Sequence, residues 1–151
     1  PSLPKVSSTQ LYNELVNAND ALKTSFGVYP TNFATPYGEY NDSVLTAIKQ
    51  QYYSHRTIEK GLNYADSMDQ YRIKSYMLEV STPVSQVKKW IDDAKATNSW
   101  LVLTYHEVKP NDQWTYNRKL SNFKSEMAYL KQSGVAVVTI EQALSELLPQ
   151  L

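Results

Sequence analysis

Between Thr82 and Leu147 the chain alternates amphipathic helical stripes with short runs that are apolar at every position, and this alternation confines it to one fold class. Val84, Val87, Ile91 and Ala94 make one stripe at helical spacing, and Leu120, Phe123, Met127 and Leu130 make a second. Between them WLVLTY, residues 100–105, offers no polar face and reads as a strand buried on both sides. VAVVT, residues 135–139, reads as another strand, and a last helix follows with Ala143, Leu144 and Leu147 inward. Strands covered on both faces and separated by helices imply parallel β/α units with right-handed crossovers.

The first half supplies the same elements with clear start and stop signals. Ser7 and Gln10 fit a capping box, Leu11, Leu15, Ala18, Leu22 and Phe26 follow at helical spacing, and Gly27 is a good C-terminal cap, which predicts a helix over about 9–26. After an extended segment with Phe33 and Ala34, Asn41 or Asp42 can cap a second helix that turns Val44, Leu45 and Ile48 inward. QYYSHRT (51–57) and YRIKSYMLEV (71–80) are rich in β-favouring tyrosines and read as strands. Thr82 before Pro83 starts the third helix, Gly134 stops the fourth after a polar loop over 109–117, and Thr139 with Gln142 forms a capping box for the last. About five strands and five helices are fewer than the eight pairs of a closed β/α barrel, so the expected sheet is open or incomplete, within one domain.

Charge and composition exclude several function classes. Fifteen basic and 15 acidic side chains balance, which leaves no footprint for nucleic acid or an anionic membrane surface. The longest apolar runs are far too short for a membrane span. With no cysteine there are no disulfides, thiolate metal sites or cysteine nucleophiles, and His55 and His106 lie too far apart in sequence for a local metal motif.

Two stretches carry chemistry. In NFATPYGEYN, residues 32–41, Pro36 fixes its own φ and Gly38 permits angles closed to other residues, so the turn can aim the Tyr37 amide at a developing oxyanion. His106 directly follows the WLVLTY strand, where an imidazole can deliver a proton near neutral pH, or be satisfied by a carboxylate such as Glu107. Both stretches belong at the carboxyl ends of strands, where α/β folds gather their chemistry. Trp114, in the polar loop, suits contact with a substrate, whereas Trp100 reads as core and His55 as structural or surface. Twelve Tyr and three Trp would suit stacking on sugar rings and would equally suit core packing.

Taken together, NFATPYGEYNDSVLTAIKQ, WLVLTYHEV and NFKSEMAYLKQSGVAVVTIEQAL resemble the C-terminal part of a polysaccharide deacetylase of the NodB-homology type. The resemblance runs over 1–151 and implies a partial (β/α) barrel whose N-terminal strands are missing. It implies a hydrolase that removes acetyl groups from an N-acetylated polysaccharide, extracellular or at the cell surface, with a zinc-like divalent metal in the full-length enzyme. Within it Tyr37 matches the position whose amide holds the oxyanion, His106 matches the general acid on the leaving amine, and Pro36 and Gly38 shape the groove. Pro1, Ser2 and Leu3, leading into LYNEL, resemble the sequence that follows the second metal histidine, so the metal and base motifs are expected upstream and this chain alone is expected to be inactive. Its partners would be the polysaccharide and the missing part of the barrel, or another chain that completes it.

There are departures from the family pattern. Ala34 stands where many members have an Arg that orients the catalytic aspartate, no Asp-x-x-Asp-Trp block follows YYSHRT, and Leu-Thr-Tyr-His is one residue longer than the usual Leu-x-His. Arg56 or Arg72 is the expected substitute for the missing arginine. The alternative reading is a non-catalytic carbohydrate-binding or scaffolding relative that keeps the aromatic groove.

Overall fold

The computed structural model describes residues 1–111 and 114–150 and divides into two compact units. The first comprises Pro1–Thr57 with Asp69–Ile73, the second Ile58–Met68 with Lys74 onward.

In the first unit α1 spans Ser8–Phe26, begins where the Ser7 hydroxyl accepts the Gln10 N–H at 3.2 Å, and ends at Gly27 in the left-handed conformation. Two of the five residues of its predicted stripe are covered: Leu11 and Leu15 are buried, whereas Ala18 is exposed and Leu22 and Phe26 are 39% and 74% exposed. The reason is length. At 1.5 Å per residue the helix runs about 28 Å, and α2 (Asp42–Gln51), which packs on it, runs about 15 Å. Asn41 caps α2 as expected, its side chain accepting the Val44 N–H. Strand β1 (Asn32–Ala34) pairs in parallel with β2 (Ser54–Arg56) across the α2 crossover, in the register Phe33 to His55 and Ala34 to Arg56. Leu3, Leu11, Leu15, Val44, Ile48 and Tyr52 form the core beneath this pair.

In the second unit β3 (Tyr76–Met77) and β4 (Leu103–Thr104) pair in parallel around α3 (Val84–Ala96). Then come β5 (Glu107–Lys109) and β6 (Asn117–Lys119), parallel to each other, followed by α4 (Leu120–Ser133) and α5 (Ile140–Leu147). Leu78, Val87 and Ile91 form a core against which Trp90, Leu101, Leu103, Tyr105 and Leu130 pack. The Thr139 and Gln142 capping box is complete, with both reciprocal hydrogen bonds present.

The fold is mixed α/β with parallel pairing, but several expected details change. The described strands form three separate two-stranded pairs; no closed sheet is seen and a partial barrel is not shown. WLVLTY is half-buried at every position rather than fully buried: Leu101, Leu103 and Tyr105 pack on the core, strand pairing covers Leu103–Thr104, and Trp100 makes a single antiparallel bridge to Asn63. Of 71–80, Tyr76–Met77 pairs as a strand, because Tyr71 and Arg72 are taken up by a turn that bonds back to Asp69. VAVVT forms no strand; Val137 is 76% exposed, and the segment finds no strand partner among the described residues. The predicted loop over 109–117 gives its two ends to β5 and β6, while its residues 112 and 113 lie outside the described residues. In α4 the fully buried residue is Glu126, and Leu120 remains 37% exposed. No described helix is long and apolar enough to cross a membrane.

Candidate functional site

The turn after β1 is built as the sequence suggests, and one backbone angle makes it unusual. Thr35 is extended, as a residue before proline must be, and Tyr37 takes φ 61° and ψ 5°, the left-handed region that costs a non-glycine residue about 1–2 kcal/mol. Gly38 follows at φ 70° and closes the turn by donating its N–H to the Thr35 carbonyl at 3.0 Å. The Tyr37 ring is 76% exposed, so its packing does not account for the strained backbone. Within this turn the Tyr37 amide has no acceptor among the described residues.

His55 holds this turn in place. Its ring is fully buried; Nδ1 donates to the Tyr71 carbonyl at 2.9 Å, so in the neutral ring Nε2 is the acceptor and takes the Thr35 hydroxyl proton at 3.3 Å. Tyr40, on the far side of the turn, presents its ring edge-on to the imidazole at 5.1 Å. The residues on either side of Pro36-Tyr37-Gly38 are thus fastened to one imidazole. The structural reading of His55 holds, and the particular partners were not legible because they come from two segments distant from it, the turn at 35–40 and Tyr71.

Arg56 stands directly across from Ala34 in the β1–β2 register. Its guanidinium is half-buried and has no carboxylate partner among the described residues, and burial pulls its pKa below the ordinary arginine value. Arg72 is exposed, its N–H closing the Asp69 turn.

In the second unit His106 is exposed just beyond β4, and it is gathered with Trp114 and Tyr116. The imidazole lies 5.0 Å from the Tyr116 ring and 6.1 Å from the Trp114 ring, and the two aromatic rings meet at 5.0 Å in a T-shaped contact. Glu107, the carboxylate that could have satisfied His106, is paired with Lys109 at 2.6 Å. Tyr116 was not singled out by the sequence reading; its alternation with Trp114 along one strand approach was the available signal.

Behind this group lies a buried charge network that sequence reasoning missed. Arg118 and Glu126, 1% and 0% exposed, form a two-point ion pair, and the Tyr105 hydroxyl donates to Glu126 at 3.0 Å. Arg118 also donates to the carbonyls of Glu79 and Thr82 at 3.2 and 2.7 Å. The residue before His106 is therefore tied to the end of β3 and to α4. Burial, followed by the neighbouring Glu126 carboxylate, raises the Tyr105 pKa well above the ordinary tyrosine value.

A metal centre is not assembled from these residues. Among the described residues no three His, Asp or Glu side chains cluster closely enough to hold an ion, and both ring nitrogens of His55 are already engaged.

Comparison with known proteins adds the following. Residues 1–55 match the family model described as polysaccharide deacetylase, which bears out the resemblance over that segment. The chain is similar in fold to the crystal structure of a polysaccharide deacetylase from Bacillus cereus, with a TM-score of 0.53 and 22% identity, over 59% of this chain. The match covers 28% of the length of that enzyme. No curated protein matches the chain.

Proposed function

We propose that this chain is the C-terminal part of a metal-dependent carbohydrate N-deacetylase acting outside the cell or at its surface on an N-acetylated polysaccharide. The observation that carries the reading is the left-handed Tyr37, its amide free, inside the segment that matches the deacetylase model. In this reading the Tyr37 N–H stabilises the negative oxygen that develops when water adds to the acetamido carbonyl. His106 gives its proton to the sugar nitrogen as the carbon–nitrogen bond breaks, releasing acetate and a free amine. Pro36 and Gly38 hold the turn, Trp114 contacts the sugar, and Arg56 takes the place of the arginine absent at Ala34, its unpaired guanidinium suited to orienting a carboxylate. Arg72, exposed in its turn, is the weaker substitute. In this reading the metal ligands and the base that activate the water come from residues outside these.

A second reading is favoured by one aromatic pair: Trp114, 52% exposed, beside the half-buried Tyr116 can stack on a sugar without any reaction. One experiment separates the two. With the chain extended upstream of Pro1 to a complete domain, acetate release from chitin oligomers should be metal-dependent. His106→Ala should lower kcat by about 100-fold or more while oligomer affinity stays within about twofold. Oligomer binding with no acetate release from the unsubstituted domain would favour the binding module.

A further inference from the structure

Away from His106 the second unit has a groove of about 430 Å³, a size within the roughly 300–1,000 Å³ of ligand clefts. Its lining is mixed in a particular way. The Trp90 indole forms an apolar wall, held from behind by Tyr76 stacked at 4.1 Å and 15°. Lys60 and Gln86 also line the groove, and the side chain of neither has a hydrogen-bond partner among the described residues. Glu79, Ser81 and Thr82 complete the rim. The Thr82 oxygen accepts the Glu79 N–H at 3.2 Å, which leaves its hydroxyl proton free to donate.

This rim is rigid for a reason already given: the buried Arg118 grips the Glu79 and Thr82 carbonyls from beneath. It is also joined to the aromatic loop. Val80, between Glu79 and Ser81, donates its N–H to the Thr115 carbonyl at 2.7 Å, and Thr115 lies between Trp114 and Tyr116. A flat aromatic wall, unpartnered donors and several acceptors, with one cation and one carboxylate, suit a neutral, hydroxyl-rich ring rather than an anion or an apolar ligand.

We propose that this groove is a second sugar-binding subsite, taking a neutral pyranose unit of the same glycan that rests another, non-adjacent unit on Trp114 and Tyr116. The proposal rests on the carbohydrate reading above and adds the residues Lys60, Glu79, Gln86 and Trp90 to it. A glycan long enough to engage both sites gains affinity without any new contact at either.

The test uses the full chain, ¹⁵N-labelled, titrated with the disaccharide and the hexasaccharide of N-acetylglucosamine while the indole N–H signals are followed. The hexasaccharide should shift both Trp90 and Trp114 and bind roughly tenfold more tightly than the disaccharide, the gain of a linked second contact. Lys60→Ala with Gln86→Ala should silence Trp90, keep the Trp114 response and bring the hexasaccharide within about twofold of the disaccharide. An unchanged Trp100 signal shows that the variant is folded, and Gln86→Ala alone serves if the double variant is not. A hexasaccharide that shifts Trp114 and leaves Trp90 untouched, or binds the variant unimpaired, overturns the subsite and leaves the functional reading standing. If neither tryptophan responds, the carbohydrate reading falls and the subsite falls with it.

Discussion

Arg118 and Glu126 show how much one buried pair can decide. Taking both charges out of water is costly, and the cost is offset because the carboxylate receives Arg118 twice and Tyr105 once, while the guanidinium also reaches two carbonyls. Glu126→Ala strands a buried guanidinium and should destabilise the chain by about 3–5 kcal/mol, whereas Arg118→Met with Glu126→Leu should come within about 1–2 kcal/mol of the parent, as urea unfolding would show. An equal loss in both variants would mean that shape, not charge, matters there. Tyr105 gives this network a pH signature. Because its folded-state pKa is raised, its contribution is fully present below about 10, the unfolded tyrosine value, and is lost as pH climbs beyond it. Tyr105→Phe should therefore flatten the fall in stability between about pH 10 and 12, measured by thermal unfolding across that range. Sequence reading could see neither partner of the pair as buried. A lone Arg before a helix and a Glu within it are ordinarily solvated, and eight residues of spacing carry no contact signal.

At the level of elements the outcome depends on where each signal resides. Helices declare themselves locally: Ser7, Asn41 and Thr139 cap as expected, and Gly27 and Gly134 end their helices at φ 69° and 71°. Around Gly134 no atom lies within 4 Å of an added Cβ, so Gly134→Ala should cost about 1–2 kcal/mol through backbone strain alone. Gly134→Asn should recover part of that, because asparagine tolerates the left-handed cap; equal urea midpoints for the two variants would contradict this. Strands depend on their neighbours. VAVVT and WLVLTY have equally apolar sequences, yet one finds a partner at Leu103–Thr104 and the other finds none among the described residues.

For the whole chain, the two candidate stretches fall in different units: the strained turn at Tyr37 belongs to the first, His106 with its aromatic neighbours to the second. Neither unit assembles three metal ligands among its described residues. On the proposed reading, which assigns the metal ligands to residues outside this chain, residues 1–151 by themselves are expected to release no acetate from N-acetylglucosamine oligomers when zinc or cobalt is added, and release above a protein-free blank would refute that. The sequence by itself determined the α/β class, the helices and their ends, the Pro-Tyr-Gly turn and the position of His106 after a strand, because caps, turns and helical periodicity are local properties. Tertiary structure alone decided that His55 fastens the turn, that Arg56 faces Ala34, that Tyr116 joins Trp114, and that Arg118 with Glu126 is core. Each of those facts is a contact between segments distant in the chain, and pairing, desolvation and burial exist once the segments have met.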